Sequence, residues 1–242
     1  MCLAVVAWGV AAHYRLLVAA NRDERHDRPT AHAAWWQDLP GVLGGRDLEA
    51  HGSWLAIDRS GRLAAVTNFR DPEQGSKSRS RGALTADFLA GTASIDEYEA
   101  ATAPLEREYG PFNLLLFDGR ELRYLSNRGP RARLAPGVHA LSNAALGADW
   151  PKMLTARAGA EALLTSAAPS EALFELLARR GTGPAADRYR SAHFIEGPVY
   201  GTRSSTVVTI DAAGEVTFAE RSFDAAARLT SEVRERFRIA PG

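Results

Sequence analysis

Three stretches of this 242-residue chain follow one plan: an apolar run, a turn built on Asp and Gly, and a second apolar run. "GSWLAIDRSGRLAAVTNF" (52–69) turns at Asp58–Gly61, "FNLLLFDGRELRYLSN" (112–127) at Asp118-Gly119, and "RSSTVVTIDAAGEVTFAER" (203–221) at Asp211–Gly214. Asp and Gly supply the backbone conformations of tight turns, and a short turn forces its two strands to pair antiparallel. A fourth pair opens the chain. Residues 2–8 read as a buried strand, and "YRLLVAAN" (14–21) as its partner across a turn near Val10–His13. Helical patterns fill the middle: 82–91, 94–104, 149–166 with Asp149 as the expected cap and Pro151 in the first turn, and 169–181 ending on Gly181. Hairpins towards both ends with helices between them predict an α+β chain of two antiparallel sheets covered by helices, not a doubly wound parallel sheet. No internal repeat interrupts this order, and a single domain over 1–242 is expected. "GSKSRSRG" (75–82), small, polar and basic, is the expected mobile loop.

The balance of charge excludes several function classes. Lys plus Arg number 29 and Asp plus Glu 29, so no basic field draws in nucleic acid or an anionic membrane. No apolar run approaches the 18 residues of a membrane-spanning helix, so no integral membrane segment is expected. "LAVVA" (3–7) lacks the basic flank of a signal peptide. One cysteine makes no internal disulfide and no zinc site, which suits a reducing, cytoplasmic setting. The six histidines (13, 26, 32, 51, 139, 193) are scattered without metal-ligand spacing, and no metal or cofactor is expected.

That one cysteine stands second. Cys is small and apolar and suits the start of a strand. Once Met1 is removed, however, Cys2 also carries a thiol nucleophile and a free α-amine on one residue. The hairpin brings "NRDE" (21–24) back towards it: Asp23 is a candidate to hold the amine, Arg22 to bind an anion, and Asn21 and Glu24 stand beside them as substrate-binding candidates. Asn68 and Arg70 follow an apolar run in "AVTNFRDP", and Asn143 lies between a strand and a helix in "HALSNAALGADWP". Asn at such places is a turn former or, with its N–H aimed at a reacting carbonyl, an oxyanion donor. Arg203 begins a Thr- and Val-rich strand.

"MCLAVVAW", "AANRDER", "GGRD" (44–47), "GSWLAI", "AVTNFR", "SRG" (80–82), "GPFNLLL", "LSNAALGADWPK" and "YGTRSSTVV" occur in this order over nearly the whole chain. Together they resemble the NRDE family, also called the transport and Golgi organisation protein 2 family. That family is similar to the N-terminal nucleophile hydrolases of the choloylglycine hydrolase and penicillin V acylase branch. The resemblance implies an αββα four-layer sandwich of two antiparallel sheets. It also implies Cys2 as nucleophile, Asp23 as the acid at the amine, Asn68 and Asn143 near the oxyanion, and Arg203 as the late arginine of the site. Here the chain departs from the branch, which carries an arginine where Ala19 or Ala20 stands. The implied function is hydrolysis of a linear amide or other acyl bond of a small molecule. The alternative is a non-catalytic carrier of acyl-coenzyme A, lipid or haem. In that case Arg22, Arg46, Arg70, Arg79 and Arg81 would form a pocket for an anionic small-molecule ligand, or Cys2 would ligate haem.

Overall fold

The computed structural model describes residues 2–71, 77–181 and 187–239. Met1, and Gly75 and Ser76 of the expected mobile loop, lie outside the described residues. In chain order the strands are β1 (Leu3–Trp8), β2 (Tyr14–Arg25), β3 (Thr30–Trp35), β4 (Val42–Asp47), β5 (Leu55–Asp58), β6 (Leu63–Asn68), β7 (Phe112–Phe117), β8 (Leu122–Ser126), β9 (Ala132–Leu134), β10 (Gly137–Leu141), β11 (Tyr200–Asp211), β12 (Glu215–Phe223) and β13 (Leu229–Arg238). The helices are α1 (Arg81–Ala90), α2 (Ile95–Thr102), α3 (Pro151–Glu161), α4 (Ser170–Leu177) and the single turn α5 (Arg188–Ser191). A 3₁₀ segment, Ala103–Glu108, continues α2.

Every named strand pairing is antiparallel. One sheet has six strands in the order β10-β1-β2-β11-β12-β13, the other seven in the order β3-β4-β5-β6-β7-β8-β9. The α+β class with two antiparallel sheets is thus what the chain adopts. The turns the sequence marks are where they were expected: Gly61, Gly119 and Gly214 all take positive φ, between 82° and 89°, which glycine enters without a Cβ clash.

The chain forms two compact units. Residues 2–27, Pro136–Ser142 and Leu146–Ile239 make the first, Arg28–Ala135 with Asn143–Ala145 the second. In the first, α3 and α4 cover one face of the six-stranded sheet. Leu3, Val5, Ala19, Ala140 and Val207 pack there against Met153, Ala156, Leu173, Phe174 and Leu177. In the second, α1 and α2 lay Leu84, Phe88, Leu89, Ile95 and Tyr98 on Val42, Ala56, Val66, Leu114 and Leu116 of the seven-stranded sheet.

Helix ends depart from expectation in two places. Asp149 does not cap α3: Trp150 is the N-cap residue and no side chain closes the first turn, so Pro151 at N1, having no N–H to satisfy, starts the helix alone. α4 stops at Leu177, four residues before Gly181. In the second unit α2 carries a full capping box between Ser94 and Glu97. There Gly52 and Gly82 meet backbone to backbone: a Cβ on Gly52 would lie 2.3 Å from the Gly82 carbonyl carbon. "GSW" and "SRG" therefore carry glycine for close approach.

Candidate active site

Strand β1 begins immediately after Cys2, and β2 runs back beside it with Leu3 opposite Asn21. β2 extends five residues past the apolar run, through Asn21, Arg22, Asp23 and Glu24 to Arg25, because β11 pairs with it along this stretch. Alternation puts Asn21 and Asp23 on one face and Arg22 on the other. The Cys2 thiol lies 3.8 Å from the Asp23 carbonyl oxygen, with S–H as donor. The same carbonyl accepts the Tyr200 hydroxyl at 3.0 Å. The carboxylate of Asp23, buried, accepts the Thr202 hydroxyl at 2.6 Å.

The main chain of Cys2 is held as firmly. Its carbonyl accepts the Ser142 hydroxyl at 2.6 Å and the Lys152 ammonium at 3.4 Å. Lys152 is wholly buried, 0% exposed, in the first turn of α3. Burial pushes the Asp23 carboxyl above its ordinary value, against the opposing pull of the Lys152 charge and the Thr202 hydrogen bond. Burial likewise pushes Lys152 down, opposed by Asp23 and Cys2. Two buried opposite charges each make the other's ionised form less costly.

A β-bulge separates Thr202 from Ser204: Thr202 pairs with Asp23 and Ser204 with Arg22, leaving Arg203 as the extra residue. Its guanidinium donates to the carbonyls of Arg25 (2.9 Å) and His26 (3.1 Å), clasping the end of β2. Asn21 is a brace. Both of its amide hydrogens are donated, to the carbonyls of Leu177 (2.9 Å) and His193 (2.8 Å), and its oxygen accepts the Ser205 hydroxyl at 2.6 Å. No amide hydrogen is left for a substrate. Glu24 accepts the Arg25 N–H at 2.8 Å, and Arg22 is buried.

In the second unit, Asn68 ends β6 and Asn143 donates to its carbonyl at 2.6 Å, while the Arg70 N–H donates to the Asn143 carbonyl at 2.8 Å. Asn113 of β7 supports this group, donating to the Ala144 carbonyl at 3.0 Å and accepting the Tyr124 hydroxyl at 2.7 Å. Arg46 serves the framework. It grips Asp38 with two hydrogen bonds (2.7 and 2.8 Å), donates to the His51 carbonyl and lies over the Trp36 ring. Arg79 is paired with Glu108, and Arg81 reaches the Pro111 carbonyl. Neither Arg46 nor Arg79 stands ready for an anion.

The family model for Transport and Golgi organisation 2 matches residues 1–225. This chain belongs to that family. Among curated members, the Transport and Golgi organization protein 2 homolog of Bos taurus is 36% identical over 240 residues, covering 86% of this chain and 87% of its own. The Homo sapiens homolog is 34% identical over 243 residues with the same shares. Solved structures show the fold. A Caenorhabditis elegans N-acylethanolamine-hydrolyzing acid amidase ortholog superposes at TM-score 0.52, covering 85% of this chain and 92% of its own at 12% identity. A mutant conjugated bile acid hydrolase from Clostridium perfringens superposes at 0.55, covering 99% and 92% at 10% identity. This Transport and Golgi organisation 2 family member therefore has the fold of hydrolases, as its motif order implied. No helix among the described residues is long and apolar enough to cross a membrane.

Sequence reading passed over Lys152, Ser142, Thr202 and Asn113. One signal for Lys152 was present: of the 29 basic residues only Lys77 and Lys152 are lysine, the rest arginine.

Proposed function

We propose that this protein is an N-terminal cysteine hydrolase that cleaves a linear amide, or another acyl bond such as a thioester, of a small molecule. The observation that carries the reading is the fixing of Cys2: its carbonyl is held by Ser142 and Lys152, its thiol lies against Asp23, and Asp23 is itself locked by Thr202. Removal of Met1 would free the α-amine. An α-amine of pKa about 7.7–8.0 is partly neutral near pH 7 and accepts the thiol proton. The thiolate then attacks the substrate carbonyl, with Asn68 and Asn143 as the proposed donors to the oxyanion. The amine returns the proton to the leaving group, which departs and leaves an acyl-thioester on Cys2. Water, losing its proton to the same amine, attacks that thioester and releases the acid and the thiol. Asp23 holds the amine and does not react. A reducing cytoplasm is the proposed setting, since the mechanism needs a free thiol.

Intact mass of the purified protein before and after a thiol alkylator reads the first requirement: loss of Met1 and a single fast adduct. A screen of small amides and thioesters with wild type and Cys2→Ala reads the second. Cys2→Ala is expected to lower kcat/KM by on the order of a thousandfold or more. A variant with wild-type turnover would end this reading. Retention of Met1, with ligand binding that Cys2→Ala leaves unchanged, would instead describe the carrier of acyl-coenzyme A or lipid, and haem binding lost in Cys2→Ala a haem carrier.

A further inference from the structure

Lys152 occupies an expensive position. It is fully buried, and it sits in the first turn of α3, where the helix dipole presents its positive end and disfavours a cation. The chain does not use lysine as a general-purpose cation. Its only other lysine, Lys77, is exposed, and arginine fills every other basic position. A lysine ends in a compact ammonium with three donors that fits where a guanidinium fork does not.

Three elements face it. From the head of β1 comes Cys2, whose carbonyl takes the Lys152 ammonium at 3.4 Å. From β2 comes Asp23, whose carboxylate opposes the penalty of burying the ammonium. From the segment before β11 comes His193. Its Nδ1 lies 2.7 Å from the Leu176 carbonyl and its Nε2 2.8 Å from the Thr155 hydroxyl. Burial pushes the ring below its ordinary value and so favours its neutral form. The charge pair at the foot of Cys2 is thus Lys152 with Asp23.

We propose that Lys152 is a positioning residue for Cys2: its ammonium, balanced by the Asp23 carboxylate, clamps the Cys2 main chain and so fixes where the thiol stands. The inference rests on Cys2 being the nucleophile, but its test needs no substrate.

Two measurements decide it. The first is the rate of Cys2 alkylation by a neutral reagent across pH, in wild type, Lys152→Met and Lys152→Arg. The single cysteine makes the adduct unambiguous. Lys152→Met is expected to react about tenfold more slowly at pH 7, and Lys152→Arg, whose guanidinium fork does not fit the buried site, to recover little of the loss. The second needs no substitution at Lys152. With ¹³C-labelled lysine the wild-type protein gives two side-chain signals, one from exposed Lys77 as an internal reference. Blocking Cys2 with a neutral adduct should move the Lys152 titration and leave Lys77 in place. A folded Lys152→Met with the wild-type alkylation profile overturns the proposal. So does a Lys152 signal indifferent to the Cys2 block, which decides alone if Lys152→Met does not fold. A protein that hydrolyses no acyl bond yet shows both effects keeps Lys152 in this role and loses the enzyme reading. Hydrolysis undiminished in Lys152→Met does the reverse.

Discussion

In the unit that carries Cys2, the side chains of Arg22, Asp23, Lys152, His193 and Glu220 are buried; in the other unit no Asp, Glu, Lys, Arg or His among the described residues is. The second unit keeps its charged side chains half-buried or exposed, linked in chains. Arg123 meets Asp96, Glu99 and Glu121, and Arg131 meets Glu99 and Glu106. Exposed pairs cost little to form and return little. Buried ones carry a desolvation penalty that an apolar pair would not. Two sheets of the same class, in one chain, thus treat charge in opposite ways. Two of those buried charges, Asp23 and Lys152, lie at the candidate nucleophile, while the other sheet is stabilised by apolar packing under α1 and α2.

The largest expected effect breaks the comparison at its centre. Asp23→Leu leaves the Lys152 ammonium buried without its carboxylate and is expected to cost about 3–5 kcal/mol of stability, read as a fall in the urea midpoint. A cost under about 1 kcal/mol would mean that the buried pair is no more consequential than a surface one.

A smaller effect probes the second unit through a buried tyrosine. The Tyr98 hydroxyl donates to the Leu84 carbonyl at 2.7 Å, and burial raises its phenol far above its ordinary value. The fold therefore favours the protonated form. That stabilisation is complete below pH 10 and is lost as pH rises beyond it. Tyr98→Phe should cost about 1 kcal/mol at pH 7 and flatten the decline in stability above about pH 10. An unchanged alkaline decline would assign it elsewhere.

The smallest effect belongs to the surface chain. Arg131→Ala is expected to cost at most about 1 kcal/mol, and less at high salt. If it destabilised the protein as much as Asp23→Leu, the contrast between the units would not hold.

Much of this contrast was invisible in the sequence, and the reasons are local. The hairpins of the first unit were legible because apolar runs and Asp-Gly turns coincide. β2 was read to Asn21, its charged continuation looking like a strand leaving the core. In fact Asn21 and Asp23 stay buried because α4, His193 and β11 supply their hydrogen-bond partners, and those partners lie 156 to 184 residues away. No local pattern reports such partners. β13 was missed for the opposite reason. "LTSEVRERFR" is an edge strand with alternating charge and little apolar content, held by pairing with β12. At the site, Cys2 and Asp23 were legible as a pair because the hairpin register brings them together. Lys152 was passed over because a lysine beside Trp and Pro at a helix start reads as surface. Asn21 drew attention as a polar residue at a strand end and Arg46 as part of an arginine pocket, and the structure gives both to the framework.

The bulge at Arg203 fixes more than one arginine. A strand has two sides, and its residues are dealt to them in turn; one inserted residue reverses the deal. Beyond the bulge Ser205 and Val207 face the helices, and without it Thr202 would be turned to the opposite side. The insertion is what lets the same strand lock Asp23 at one end and fill the core at the other. A deletion of one residue there would leave the core's pattern intact while rotating the far end out of phase, so the two ends can drift in sequence independently only while their spacing is preserved to the residue.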